Sequence, residues 1–218
     1  MPKLFLIKHS MPVLDPNVPA AEWHLGERGR ALSELLANKL AAYSLAVIVS
    51  SVEPKAIETA QIVANRLGKP YEISAGLHEH DRRNVPFMPM EQLEAKVAQF
   101  FAKPDELVLG SETANQAHAR FANAIDRVIE KYPQKNIAVV AHGTVISLFV
   151  ARTNEIPFEF WKRFGLPSIV VLSYSVIASR EAAKQSPIRQ AEIASQSAAP
   201  LAGKSLAMTL EEVIENVE

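Results

Sequence analysis

The hydrophobic residues of this chain occur in two patterns that follow one another repeatedly. Short apolar runs predict strands at residues 4–7, 45–49, 71–73, 137–141 and 169–174. Runs without polar alternation are typical of strands that are buried on both faces of a sheet. The first run stops abruptly at a cation and an imidazole, Lys8 and His9, so a polar edge is predicted where this strand ends.

Segments with apolar positions at helical spacing separate these strands. Residues 27–42 carry Ala31, Leu35, Leu36 and Leu40 at that spacing, which predicts an amphipathic helix. Further helices are predicted at residues 54–67, 91–101, 114–131 and 145–151. Because strands and helices alternate, we expect an α/β fold, a three-layer α/β/α sandwich with a mostly parallel central sheet.

The composition of the chain changes near residue 179, beyond which Ala, Ser, Gln and Glu predominate. We therefore predict a main domain over residues 1–178 and a C-terminal extension over residues 179–218. Within the extension, residues 185–204 are predicted to be a mobile linker. Residues 208–217 are predicted to form a terminal helix, with Leu210, Val213 and Val217 on one side.

Composition and charge exclude several classes of protein. The chain has 218 residues, 48% of them hydrophobic, and a formal net charge of -1, so no global field favours nucleic acid or membranes. It has no cysteine, which excludes disulfides, thiolate metal sites and a cysteine nucleophile. No apolar stretch reaches the roughly 18 residues of a membrane span. We expect a soluble, cytoplasmic protein without nucleic-acid or membrane partners.

Two histidines stand at equivalent strand ends. His9 follows the first strand and His142 follows the fourth, and the carboxyl ends of parallel strands face the crevice where ligands bind. One such histidine is often only a polar surface residue, but two at the same edge indicate a site. Lys8 and Lys55 add two ammonium groups, and Lys55 starts a helix whose free N–H groups attract anions. This combination suits a phosphate group.

Several short motifs follow one another between about residues 3 and 174. They are Lys8-His9-Ser10, Trp23-His24-Leu25 up to Gly29, Ser50-Ser51 with Lys55-Ala56 and Thr59-Ala60, Leu77 with Glu79, Gly110-Ser111-Glu112, and Val140-Ala141-His142-Gly143. In this order they resemble the motifs of the histidine phosphatase superfamily, the phosphoglycerate-mutase-like phosphatases. The resemblance implies that residues 1–178 form a phosphoglycerate-mutase-like catalytic domain with a cap-like insert around residues 76–110.

The resemblance also implies a phosphomonoesterase that acts on a small phosphorylated molecule through a phosphohistidine, without a cofactor or metal. His9 would be the nucleophile. Lys8, Lys55 and His142 would bind the phosphate and stabilise its charge, with Ser10 close to it. Glu79 would exchange protons with the leaving group and the water, and Asp81 is a second candidate for that role.

Three residues depart from the family pattern. Lysines stand at positions 8 and 55 where the family has arginines, which keeps the charge but loses the planar fork that grips phosphate. Ser10 replaces a glycine. An alternative is therefore a weak or inactive member that binds phosphorylated ligands or a protein partner. A phosphoglycerate-type mutase is a further alternative, and it would require a pocket closed to water.

Arg82 and Arg83 lie in the predicted insert, beside an apolar stretch over residues 85–88. They would contribute to substrate specificity by holding a second acidic group of the substrate. The alternative is a packing patch next to two solvated arginines. The physiological substrate does not follow from these patterns, and a homodimer remains open.

Overall fold

A computed structural model describes residues 1–154, 157–178 and 204–217 of the chain. Its strands and helices are β1 (Lys3–Lys8), α1 (Glu27–Leu40), β2 (Leu45–Ser50), α2 (Pro54–Leu67), β3 (Tyr71–Ile73), α3 (Met90–Ala102), α4 (Ala114–Lys131), β4 (Asn136–Ala141), α5 (Gly143–Asn154), β5 (Ser168–Ala178) and β6 (Lys204–Ile214). Two 3-10 helices cover Ala20–Glu22 and Phe158–Arg163. Residues 185–203 of the predicted linker lie outside the described residues.

The six strands form one sheet in the order β3-β2-β4-β1-β5-β6. Strands β1 to β4 run parallel, whereas β5 is antiparallel to β1. Strand β1 lies in the middle of the sheet, and Phe5 pairs with Ala138 of β4 and Val171 of β5. The prediction of a mostly parallel sheet around this strand is confirmed.

Helices cover both faces of the sheet. On one face, Leu4 and Leu6 of β1 pack in a core that includes residues of α4 and α5. On the other face, Phe5 and Ile7 pack in a core that includes residues of α1 and α2. All four β1 side chains are fully buried, which explains why this strand has a continuous apolar run. The three-layer α/β/α sandwich is therefore confirmed.

The predicted terminal helix over residues 208–217 is wrong, because this segment contributes most of β6, which pairs antiparallel with β5. The pairing jumps from Leu210 to Glu212 opposite adjacent residues of β5, so the strand is irregular at this point. A bulge of this kind inserts one residue and keeps Leu210 and Val213 on the same face. The resulting three-residue step imitates helical spacing. The division at residue 178 stays a prediction, although β6 completes the main sheet.

The loop after β1 is held tightly against the first two helices. Ser10 donates its backbone N–H to Thr59 Oγ1 at 3.0 Å, and its hydroxyl donates to the Gly29 carbonyl oxygen at 2.7 Å. A Cβ atom at Gly29 would lie 2.0 Å from the Met11 carbonyl oxygen, so only glycine allows this approach. The chain is thereby fixed where it leaves β1. Within the described ranges, no helix is long and apolar enough to cross a membrane.

Candidate active site

The carboxyl ends of β1, β2 and β4 border a cavity of about 880 Å³. Its inner lining consists of polar side chains from four separate stretches of sequence. His9, Glu53, Lys55 and His142 are buried, and Lys8 and Glu79 are partly buried. The ring centroids of His9 and His142 are 5.2 Å apart. Because parallel strands end at one edge of the sheet, residues that are distant in sequence meet here.

His9 is buried, and its Nδ1 atom lies 2.7 Å from the carbonyl oxygen of Ser10. A carbonyl oxygen can only accept a hydrogen bond, so Nδ1 carries the proton in the neutral ring and Nε2 keeps its lone pair. Burial, with added repulsion from His142 and Lys55, lowers the pKa of His9 well below its ordinary value. The ring is therefore neutral at physiological pH and has a nucleophilic nitrogen.

His142 is fully buried beside it. Its Nε2 atom lies 2.8 Å from Ser51 Oγ and 3.5 Å from Glu53 Oε1. Burial and the charge of Lys55 lower the pKa of His142 well below its ordinary value, although Glu79 opposes them. Its Nδ1 atom has no hydrogen-bond partner among the described residues, so this atom is available to form a hydrogen bond with a ligand.

The two lysines are held in different ways. Lys8 donates from Nζ to the Phe164 carbonyl oxygen at 3.0 Å, and burial lowers its pKa to about 8 even though Glu79 acts in the opposite direction. Lys55 donates from Nζ to the Ala20 carbonyl oxygen at 2.6 Å and forms a buried ion pair with Glu53 at 2.5 Å. Lys55 is thus partly neutralised within the protein.

Glu53 is a pocket residue that the motifs did not reveal. Its carboxylate contacts Lys55, lies near His142 and accepts the backbone N–H of Glu79 at 2.8 Å. It occupies the N-cap position of α2. An acidic residue directly before Pro54 was the available signal, since carboxylates are favoured at helix N-termini.

Glu79 lies against the first turn of α5. Its carboxylate accepts backbone N–H groups from His80 at 2.8 Å, Thr144 at 3.1 Å and Val145 at 3.2 Å. Burial alone would raise the pKa of Glu79, but Arg82, His142 and these N–H groups lower it below its ordinary value. The carboxylate is consequently ionised at neutral pH before any ligand enters.

Arg120 of α4 holds the segment that carries Glu79. It donates to the carbonyl oxygens of Gly76 at 2.8 Å, His78 at 2.9 Å and Glu79 at 3.2 Å. The same guanidinium forms a bidentate ion pair with Glu112, in which Nη2 lies 2.5 Å from Oε1 and Nε lies 3.1 Å from Oε2. Glu112 belongs to one of the recognised motifs, but its partner Arg120 had no signal of its own in the sequence.

The remaining predicted site residues are placed less centrally. Ser10 is buried outside the cavity lining, and its hydroxyl donates to the Gly29 carbonyl oxygen. Arg82 and Arg83 line the cavity, at 3.8 Å from Glu79 and 2.7 Å from Asp81 respectively. The pairing with Arg83 lowers the pKa of Asp81. In the part of the chain that is described, no group of three or more His, Asp or Glu side chains is arranged to hold a metal ion.

A family model described as the histidine phosphatase superfamily (branch 1) matches residues 18–185. The chain belongs to the histidine phosphatase superfamily. This confirms the family that the motifs indicated. Among the motif residues, Lys8, His9, Lys55, Glu79 and His142 line the cavity, whereas Ser10 does not.

Curated relatives of this chain include the mitochondrial serine/threonine-protein phosphatase PGAM5 of Rattus norvegicus and of Homo sapiens. Each is 26% identical over 166 residues, which is 75% of this chain and 54% of the relative. The chain therefore spans about half the length of the curated relatives it matches. An uncharacterized phosphatase, PhoE of Bacillus subtilis (strain 168), is 28% identical over 104 residues, 48% of this chain and 51% of that protein.

Several solved structures share the fold of this chain. A mycobacterial hydrolase matches with a TM-score of 0.71 at 16% identity, covering 100% of this chain and 92% of its own. A phosphoserine phosphatase from Entamoeba histolytica, in complex with 3-phosphoglyceric acid, gives a TM-score of 0.65 at 20% identity, covering 79% and 91%. A mycobacterial glucosyl-3-phosphoglycerate phosphatase gives 0.64 at 20% identity, covering 78% and 89%.

The lowered pKa of Lys8 predicts a pH dependence. The ammonium group is protonated below about pH 8 and neutral above it, so kcat/KM on an aryl phosphate should fall at higher pH, by roughly tenfold at pH 9. Lys8→Arg keeps its charge in this range and should abolish that fall. The exposed Lys103→Arg serves as a control and should behave like the unchanged protein. An identical fall in Lys8→Arg would assign it to another group.

The buried carboxylate of Glu53 predicts a second measurable effect. Glu53→Gln removes a negative charge from the pocket and keeps a hydrogen-bond acceptor. Because charges a few ångströms apart interact by about 1–4 kcal/mol at the relevant dielectric constants, inorganic phosphate should bind about tenfold more tightly. Calorimetry measures this affinity. Glu58→Gln is the control, since Glu58 lies on α2 but pairs with His24 and Arg30 outside the cavity lining. Weaker binding in Glu53→Gln would mean that Glu53 serves to position Lys55.

Proposed function

We propose that the protein is a phosphomonoesterase that transfers a phosphoryl group from a small phosphorylated substrate to His9 and then to water. The observation that carries this proposal is the neutral, buried His9, whose Nδ1 hydrogen bond leaves Nε2 free to attack. Lys8, Lys55 and His142 share the cavity with it. Cations and polar hydrogens beside the nucleophile are the groups that stabilise charge on a transferring phosphoryl group.

The reaction has two steps in this proposal. In the first, Nε2 of His9 forms a bond to phosphorus while the bond from phosphorus to the leaving oxygen breaks, and that oxygen takes up a proton. In the second, water attacks the phosphohistidine, the phosphorus–nitrogen bond breaks, and inorganic phosphate is released. Both attacks require an anionic phosphoryl group to be held between the lysines, which is the role of Lys8 and Lys55.

Glu79 is the group that we assign to proton transfer. Its lowered pKa means that it enters the reaction as a carboxylate. A phosphate dianion placed beside it raises that pKa, because two negative charges at close distance favour protonation of one of them. The carboxylate can then give this proton to the leaving oxygen and later take one from water. Asp81 is less suited, because Arg83 already holds its carboxylate.

The relatives support phosphomonoester chemistry without naming one substrate. Their names specify phosphorylated serine or threonine in proteins, phosphoserine and glucosyl-3-phosphoglycerate. These compounds share the phosphate ester and differ in the group that carries it. We propose the shared part for this chain. Its cytoplasmic location, its independence of a cofactor and a homodimeric state stay predictions of the sequence.

A second candidate function is phosphate or phosphoester binding with little turnover. It is favoured by the ion pair between Lys55 and Glu53, which reduces the positive charge available to a phosphate. Retention of a neutral nucleophile and an ionised Glu79 in one cavity favours the catalytic proposal instead. Turnover measurements distinguish the two.

His9→Ala should lower kcat on an aryl phosphate by at least about 1000-fold, because the covalent intermediate can no longer form. Rapid quenching of the unchanged protein should trap phosphate on His9 that is labile in acid and stable in base. His24→Ala is the control, since His24 is an exposed histidine outside the cavity lining. Activity in His9→Ala equal to that of the control would disprove the mechanism. Phosphate binding without turnover in the unchanged protein would support the second candidate.

Glu79→Gln should separate leaving groups by their need for a proton. We expect kcat to fall by about 100- to 10,000-fold on alkyl phosphates, and much less on aryl phosphates, whose leaving oxygen needs little protonation. Asp81→Asn is the matched carboxylate control, with a small expected loss on both. Equal losses of Glu79→Gln on the two kinds of ester would indicate a role in binding. A selective loss in Asp81→Asn would transfer the assignment to Asp81.

A further inference from the structure

The mouth of the cavity exposes an unusual share of apolar surface. Ten large hydrophobic side chains are exposed among the described residues, and three of them line this one cavity: Leu14 at 61%, Val52 at 46% and Met90 at 64% exposure. A fourth, Phe87, is 57% exposed and packs with its ring centroid 6.4 Å from that of Trp23, which also lines the cavity. Clustered exposed apolar side chains at a cleft mark a contact site for a ligand.

The cations at the same mouth already contact carboxylates. Arg83 pairs with Asp81 at 2.7 Å, and Arg82 lies 3.8 Å from Glu79. Lys162 pairs with Glu94 at 3.2 Å, and all of these residues line the cavity.

A further carboxylate, that of Glu22, also belongs to the lining. A second acidic group on the substrate would therefore have to displace an existing ion pair and approach other negative charges. Apolar groups of the substrate meet no such obstacle.

The volume of the cavity indicates a substrate much larger than its phosphate group. The cavity of about 880 Å³ lies in the upper part of the range typical of sites for drug-sized ligands. Its polar inner end around His9 accounts for the phosphate only. The rest of the cavity extends to the mouth, where Leu14, Trp23 and Met90 belong to the lining.

We propose that the substrate is a phosphate monoester whose leaving group is an uncharged, apolar body, either aliphatic or aromatic. The phosphate lies against His9 while the apolar body contacts Leu14, Trp23 and Met90 at the mouth. This inference rests on the proposed phosphomonoesterase function and specifies its substrate class. Arg82 and Arg83 then keep the mouth electrically balanced through their ion pairs and do not bind a second acidic group.

A series of n-alkyl phosphates from ethyl to octyl tests this assignment. Their leaving groups have nearly the same acidity, so chain length changes only the apolar contact. We expect kcat/KM to rise by about two- to fourfold per methylene until the chain fills the mouth, as burial of apolar surface requires. Octyl phosphate should also exceed phosphoserine and 3-phosphoglycerate, which carry a further carboxylate, by at least about tenfold.

Substitutions at the mouth test whether the apolar part of the substrate contacts these side chains. Leu14→Ser combined with Met90→Ser should reduce the gain per methylene to less than about half of its original value. Leu107→Ser is the matched control, because Leu107 is 62% exposed but does not line the cavity, and it should keep the full gain. A gain that survives the double substitution would overturn the assignment of the mouth.

The outcomes separate this inference from the function on which it rests. Turnover that is abolished in His9→Ala but independent of chain length would leave the phosphomonoesterase function intact and overturn the apolar substrate class. Faster turnover of phosphoserine or 3-phosphoglycerate than of octyl phosphate would also overturn the apolar substrate class. It would indicate that the mouth binds acidic substrates. If the unchanged protein turns over no ester faster than His9→Ala does, the proposed phosphomonoesterase function is disproved, and the proposed substrate class is disproved with it.

Discussion

Burial of β1 on both faces determines where charged side chains can lie in this fold. The strand lies between β4 and β5, and helices cover it above and below, so it has no place for a polar side chain along its apolar run. Charged side chains can therefore be accommodated only where the apolar run of β1 ends. Lys8 and His9 therefore stand at the carboxyl edge of the sheet, where the ends of the neighbouring parallel strands place His142 and the start of α2.

Desolvation decides the protonation states at this edge. Both histidines are too deeply buried to carry a charge easily, which keeps the His9 ring neutral, as the proposed mechanism requires, and leaves the positive charge of the pocket to the lysines. Two carboxylates oppose that charge. Glu53 pairs with Lys55, and Glu79 is held by the first turn of α5, so the pocket is close to neutral before an anion enters. In the proposed function, such a balance favours release of inorganic phosphate after the second step.

In the proposed function, the polar inner end binds the phosphate and the apolar mouth contacts the rest of the substrate. The inner end is built from strand ends and helix starts, and its side chains are fixed by hydrogen bonds to the backbone and to one another. The mouth is built mainly from the loop after β1, the segment between β3 and α3, and the start of α3. Arg120 and Glu112 hold the segment after β3 at its base. Loops on a rigid scaffold can vary without disturbing the chemistry beneath them.

The α/β/α layers, the central position of β1 and the placement of His9 and His142 at one edge could be predicted from the sequence, because apolar runs and strand ends are local features. The remaining features depend on tertiary contacts. A bulge gave Leu210 and Val213 a spacing that is typical of a helix, although they belong to β6. Glu53 entered the pocket, and Arg120 came to hold the Glu79 segment, through contacts between residues more than 20 positions apart. Spacing along the chain cannot reveal such contacts, since they depend on how separate elements pack.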